Sequence, residues 1–201
     1  MTTRTIVVIT AGLTQPSSTR LLADRLAAAS RDALDGQGIE HKVVTVELRQ
    51  LAQDLTNNLL TGFPSASLRE VLDEVARADG LIAVTPTFSA SYNGLFKMFF
   101  DVLDEGLLAG KPVLIGATGG TERHSLVLDF ALRPLFTYLR AVVVPTGVYA
   151  ASPDWGAGAS GLHERIDRAA GEFAKLVINT EPAAKIDPYA TPTPFAQLLG
   201  E

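Results

Sequence analysis

An open, doubly wound α/β domain on a five-stranded parallel sheet is the fold this sequence predicts, and two observations predict it. Short runs of Val, Ile and Leu recur along the chain. They are nearly continuous rather than alternating, as strands buried on both faces require. Between them lie longer stretches whose apolar residues return every three or four positions, the period of a helix with one buried face. Because the two kinds of segment alternate, helices should cover both faces of a parallel sheet.

The elements follow in order. Residues 5–10, Thr-Ile-Val-Val-Ile-Thr, form the first strand. A helix over 18–34 puts Leu22, Leu26, Ala29 and Ala33 on one face and Arg20, Asp24, Arg31 and Asp32 elsewhere, and Gly36 and Gly38 end it. Residues 42–48 alternate less strongly and give the second strand. A second helix over 67–78 gathers Leu68, Val71, Leu72, Val75 and Ala76. Residues 81–85 and 112–117 are the third and fourth strands, with a helix over 92–103 between them. A helix over 125–139 is kinked or bounded by Pro134. Residues 141–148 complete the sheet and 162–179 form the last helix. Five such strands suit the flavodoxin-like order 2-1-3-4-5. Residues 1–180 are read as one domain. Residues 181–201 carry four prolines and are read as an extended tail, whose Phe195, Leu198 and Leu199 either dock or fray.

Composition narrows the function. Of 201 residues, 47% are hydrophobic and 19% charged, enough for a core and too apolar for a disordered chain. No apolar run approaches the ~18 residues of a membrane span, and the amino terminus lacks a signal-peptide pattern, so the chain is read as cytoplasmic. The absence of Cys excludes disulfides, thiolate metal sites and Cys nucleophiles. The net charge of −5 comes without any basic block, which argues against nucleic acid or an anionic membrane as partner. A small anionic ligand remains compatible, because a local site can oppose the global charge.

In open α/β sheets ligands bind beyond the carboxyl ends of the strands, at the point where the strand order reverses. Here those are the loops after the first, third and fourth strands. The first, Ala11-Gly12-Leu13-Thr14-Gln15-Pro16-Ser17-Ser18-Thr19-Arg20, runs into a helix start. Its hydroxyls and the free helix amides favour a phosphate. One N-cap needs a single such residue, and there are three in a row. The Walker pattern is absent. The second, Thr85-Pro86-Thr87-Phe88-Ser89-Ala90-Ser91-Tyr92-Asn93-Gly94, sets two aromatics among small hydroxyl residues. It suits either a flat ring or a turn with core aromatics. The third, Ala117-Thr118-Gly119-Gly120-Thr121-Glu122-Arg123-His124-Ser125, brings paired glycines that let backbone approach a planar ligand, or simply turn. An isolated His such as His124 is more often structural than catalytic.

Gly156-Ala157-Gly158-Ala159-Ser160-Gly161 matches the dinucleotide fingerprint in letters alone. Seven residues, Pro153 among them, separate it from the preceding strand, so a mobile loop is the better expectation. Trp155, the single Trp, is read as a cover over the bound ligand or as core.

Together these loops resemble the NAD(P)H-dependent FMN reductases of the flavodoxin-like superfamily, in particular those that supply reduced flavin to two-component monooxygenases. The resemblance spans residues 5–148. It rests on Ser17-Ser18-Thr19, on Pro86-Thr87-Phe88 with Tyr92-Asn93-Gly94-Leu95-Phe96-Lys97, on Ala117-Thr118-Gly119-Gly120, and on the run 124–134. It implies FMN and NADPH (or NADH) as cofactors. It implies that Ser17, Ser18 and Thr19 hold the FMN phosphate, with Gly12, Leu13 and Thr14 in the same loop. Pro86, Thr87, Phe88 and Ser89 then border the ring, and Thr118, Gly119, Gly120 and Thr121 flank its polar edge. Many relatives have Gly-Ser and an Arg where this chain has Ala11-Gly12 and Thr14, and Tyr where it has Phe88. Hydride transfer from nicotinamide to flavin needs no catalytic side chain, and none is nominated; no metal is expected. A quinone or azo reductase of the same fold and a flavodoxin-type electron carrier remain alternatives. The 92–103 helix is apolar nearly all round, which predicts a homodimer or homotetramer unless the tail covers it.

Overall fold

In the computed structural model, which describes residues 3–156 and 160–181, the apolar runs pair into a parallel sheet. β1 (Arg4–Thr10) lies between β2 (His41–Glu47) and β3 (Gly80–Phe88). A two-residue strand, β4 (Ser91–Tyr92), folds back on β3, whose other edge pairs with β5 (Pro112–Gly119). β6 (Val142–Val143) and β7 (Val148–Ala151) share the outer edge of β5. The core order β2-β1-β3-β5-β6 is the flavodoxin-like order expected. The fifth strand is broken where a continuous one was expected: after Val144, whose amide still donates to Val113 O at 3.0 Å, residues 145–147 leave the ladder at Pro145, which has no N–H to give it.

Helices cover both faces. On one, Ile6, Val8, Ile82, Val84 and Leu114 pack under α1 (Ser18–Asp35) and α6 (Ser160–Asn179). On the other, Val7, Ile9, Leu81, Ala83, Val113 and Ile115 meet α2 (Ala52–Thr61), α3 (Ala66–Arg77), α4 (Gly94–Asp101) and α5 (Arg133–Tyr138). The stretch expected to be one helix over 125–139 is a π turn, Leu128–Leu132, followed by α5 with Pro134 in its first turn. No helix among the described residues is long and apolar enough to cross a membrane.

α2 and the 3-10 turn before it, Leu48–Leu51, were not expected, and they correct the picture of α4. Both pack against α4. Phe96, Phe99 and Phe100 of α4 are buried, and Phe100 stacks edge-on with Phe136 at 4.9 Å. Leu95, Met98, Val102 and Leu103 are half-buried against the same core, so the chain itself covers this helix. The expected tail and most of the Gly-rich decoy, residues 182–201 and 157–159, lie outside the described residues.

Candidate functional site

The three loops leave adjacent strands at the carboxyl edge of the sheet. In the first, Ser17 caps α1: its Oγ accepts the Arg20 amide at 3.2 Å. The amides of Ser18 and Thr19 find no acceptor among the described residues. A Cβ on Gly12 would collide with Ser17 Oγ, so only glycine lets the loop close beneath its own cap. The Thr14 hydroxyl is turned inward to Pro16 O at 3.0 Å, and Leu13 is exposed. Arg20 is engaged elsewhere. Its guanidinium donates to Asp24 at 2.8 Å and to Glu47 at 2.7 Å, and Arg49 also donates to Glu47, at 3.1 Å. The hydrogen bond to Asp24 holds Arg20 above its already high ordinary pKa. Attraction for an anion in this loop therefore comes from the helix amides and the dipole behind them.

The second segment is not a plain loop, as expected from sequence, but a tight hairpin. β3 runs on through Pro86, Thr87 and Phe88, and Ser89 and Ala90 turn it with φ of 48° and 67°. Phe88 is 50% exposed on this turn. Behind it, the buried Asn93 joins two loops: its Nδ2 donates to Ala11 O at 2.8 Å, and its Oδ1 accepts the Phe96 amide at 2.9 Å, capping α4. Its own amide donates to Thr85 Oγ1 at 3.2 Å.

In the third segment Thr118 and Gly119 still belong to β5, where Thr118 pairs with Pro86 and Ala150. The Thr118 hydroxyl meets that of Thr19 at 2.8 Å, one donating to the other. Gly119 crosses Tyr149, and a Cβ there would collide with the phenol oxygen. The tyrosine donates to Thr121 O at 2.9 Å, and burial raises its pKa above the ordinary 10.0. Among the described residues, its chain neighbours aside, nothing lies within 4 Å of where a Gly120 Cβ would stand. His124 is exposed on the 3-10 turn Glu122–His124.

The sequence-predicted residues thus come together at one edge, with their polar atoms divided between two tasks. Thr14, Ser17, Thr19, Thr118 and Gly119 are committed to holding the loops to themselves and to each other. Among the described residues the Ser18 and Thr19 amides have no acceptor, Phe88 is half-exposed and nothing stands against Gly120. Sequence reasoning missed Thr85 and Asn93 as organisers, although Asn before a helix is a readable cap. It also missed Tyr149, which had no local signal. Trp155, at the end of the 3-10 turn that follows β7, packs on the α1 and α6 face with the Arg25 guanidinium 5.0 Å over its ring. Gly161 falls in the first turn of α6, and the 3-10 turn Ser152–Trp155 stands between β7 and Gly156, so the fingerprint does not follow directly on a strand.

Comparison with known proteins agrees with this geometry. The sequence model of the NADPH-dependent FMN reductases matches residues 4–156. An FMN reductase (NADPH) of Pseudomonas aeruginosa is 41% identical over 150 residues, 75% of this chain and 78% of that one. An NADH-dependent FMN reductase of Pseudomonas putida is 35% identical over 174 residues, 85% of this chain and 91% of that one. The solved structure of an oxidoreductase from Corynebacterium diphtheriae, 49% identical, superposes with a TM-score of 0.87 over 89% of this chain and 99% of that one.

Proposed function

The chain belongs to the NADPH-dependent FMN reductase family, and from that premise we propose how its carboxyl edge is used. It is an NAD(P)H:FMN oxidoreductase that passes a hydride from the nicotinamide to the flavin. FMN, when bound, supplies the two-electron chemistry, and the protein supplies binding and orientation. The residues fit the group. The Ser18 and Thr19 amides at the head of an 18-residue helix suit a phosphate dianion. Phe88 and the open backbone at Gly120 suit the two borders of a flat ring.

One observation supports this reading most: amides without acceptors and a glycine backbone with an open side sit on loops that Asn93 and Thr19 bond together. The strands beneath, buried on both faces, keep those loops in place, so orientation is set before any ligand arrives. The reduced flavin goes on to a separate monooxygenase, and the working form is a cytoplasmic homo-oligomer; the family resemblance supports both. The test is to mix the protein with FMN and either NADPH or NADH under anaerobic conditions, following nicotinamide absorbance and flavin colour together. Equimolar loss of both is expected, and the relative rates with the two nicotinamides give the preference. Flavin binding without nicotinamide turnover would indicate an electron carrier. Turnover only with a quinone or azo compound present would indicate a different acceptor.

A further inference from the structure

We propose that the Thr19–Thr118 hydrogen bond is a positioning strut that sets the spacing between the amino terminus of α1 and the loop after β5, so that the phosphate and ring ends of one flavin are bound as a unit. The proposal rests on the flavin reading above and assigns Thr19 a role other than direct phosphate contact through its hydroxyl.

The bond joins residues 99 positions apart, and both side chains are only 2% exposed. It is the one side-chain hydrogen bond between the first and third loops among the described residues. Thr19 stands in the first turn of α1, beside the two amides without acceptors, and Thr118 immediately precedes Gly119-Gly120. Each half of the site is therefore one residue or less from an end of the strut.

The surrounding packing gives the bond leverage. α1 runs antiparallel to β5, and the two touch at two heights. Lower down, Gly116 has no side chain, and a Cβ there would lie 3.1 Å from Leu26 Cδ1. That contact fixes how closely the helix approaches the strand, but an apolar contact leaves the helix free to rotate and slide slightly. Two turns nearer the site, the threonine pair adds a contact of defined length and direction. The other two loop junctions are already fixed: Asn93 bonds the first loop to the second, and the β3–β5 ladder carries the second to the third through Pro86 and Thr118. Tyr149 holds the far side of the third loop through Thr121. The Thr19–Thr118 bond closes this circuit.

A structural role alone does not account for hydroxyls here. A buried pair of hydroxyls replaced by a pair of similarly shaped apolar groups is close to neutral for stability, whereas removing one alone strands the other. What a hydrogen bond adds over a methyl contact at this position is a specified distance.

The test is a double-variant cycle read by the ratio of riboflavin Kd to FMN Kd, from flavin fluorescence titration of the whole protein. Thr19→Val and Thr118→Val are each expected to lower that ratio by about tenfold, the size of one well-placed hydrogen bond to a charged group. The double variant is expected to be no worse than either single one. Thr19→Ser with Thr118→Ser, which keeps both hydroxyls, should return the ratio to within about twofold of the parent. Amide exchange at residues 119–121 of the flavin-free protein should speed up in the single Val variants and recover in the Ser pair. If Thr19→Val lowers the ratio and Thr118→Val leaves it unchanged, Thr19 touches the phosphate itself and the strut is wrong. Equal loss of both flavins in every Val variant overturns it as well, since that is general loosening. A parent protein that binds neither flavin removes the functional reading, whereas a parent that binds FMN with an additive cycle removes only the strut.

Discussion

Gly119 is a glycine for a reason internal to the protein. A Cβ at this position meets the Tyr149 hydroxyl, which is bonded to Thr121 O. Gly119→Ala should push the phenol aside, undo that bond and weaken FMN by about tenfold, one hydrogen bond's worth. Removing the hydroxyl as well should restore most of the affinity, because the next atom, Tyr149 Cζ, lies 3.2 Å from the new Cβ and can give way. Fluorescence titration of Gly119→Ala and of Gly119→Ala with Tyr149→Phe decides it. A double variant as weak as the single one would mean that the backbone itself meets the ring, which is what the sequence alone suggests. Lys111, at the opposite edge of the sheet, should make stability depend on pH. Its Nζ donates to Val75 O at 2.6 Å and Ala76 O at 3.0 Å, near the end of α3. Burial pulls its pKa from 10.5 down to about 8, against an upward pull from Asp79. Between those two values the unfolded chain holds more protons at this site than the folded one. Stability should therefore rise with pH across that window, and the penalty is fully present below it. Lys111→Met should flatten the rise of melting temperature between pH 8 and 10, measured by scanning fluorimetry; an unchanged slope would assign the titration to other groups. At this scale the sequence yielded the residues that gather at the carboxyl edge but not their partners. Thr118 is a readable loop residue, but nothing local says that its hydroxyl belongs to a residue 99 positions earlier.

The hairpin between β3 and β4 is the element most at odds with its own residues. Ser89 and Ala90 both take left-handed backbone, the pattern of a two-residue hairpin turn that ordinarily uses Asn and Gly. Each costs an L-residue about 1 kcal/mol. Ala90→Gly should therefore stabilise the protein by about 1 kcal/mol, visible as a higher midpoint in urea. A lower midpoint would show that the Ala90 methyl makes a contact worth more than the strain. The composition of this hairpin also explains why it was hard to read. Pro86 inside a strand argues for a loop, and a turn without Gly or Asn carries no hairpin signal. The first helix and the strands β1, β3 and β5 were legible because their periods are long and uninterrupted. α2 was not, although Leu48, Leu51 and Leu55 have helical spacing. Asn58 occupies the next inward position, and Leu59 and Leu60 face solvent, which blurs the apolar stripe.

For the whole molecule, the missed α2 changes where a second copy of the chain would have to dock. It covers α4, so the apolar circumference that first suggested association is satisfied within one chain. Apolar surface remains elsewhere. Phe130 is 79% and Leu126 61% exposed, and they line a shallow depression with Ala90, Arg123 and His124. Ala90 is two residues from the half-exposed Phe88, so this patch is continuous with the hairpin proposed to border the ring. Soluble chains seldom leave such a patch open, and a second copy related by a twofold axis is the commonest cover. The π turn that presents Phe130 is held from behind by Arg133, which donates to Asp129 at 3.1 Å and to the Val144 and Pro145 carbonyls at 3.1 and 2.9 Å. The patch is thus rigid before any partner arrives, which lowers the cost of association. Light scattering at micromolar concentration should give at least twice the 21.3 kDa chain mass. Phe130→Asp places a charge at the centre of the patch and should return the mass to a single chain. It should also weaken FMN, because the wall beyond Phe88 would then be missing. If the mass stays high in Phe130→Asp, the interface lies at another exposed apolar surface, such as Leu60 at the end of α2 with Phe63 just after it. A parent protein of one chain mass with full reductase activity would exclude an obligatory oligomer and leave Phe88 to border the ring unaided.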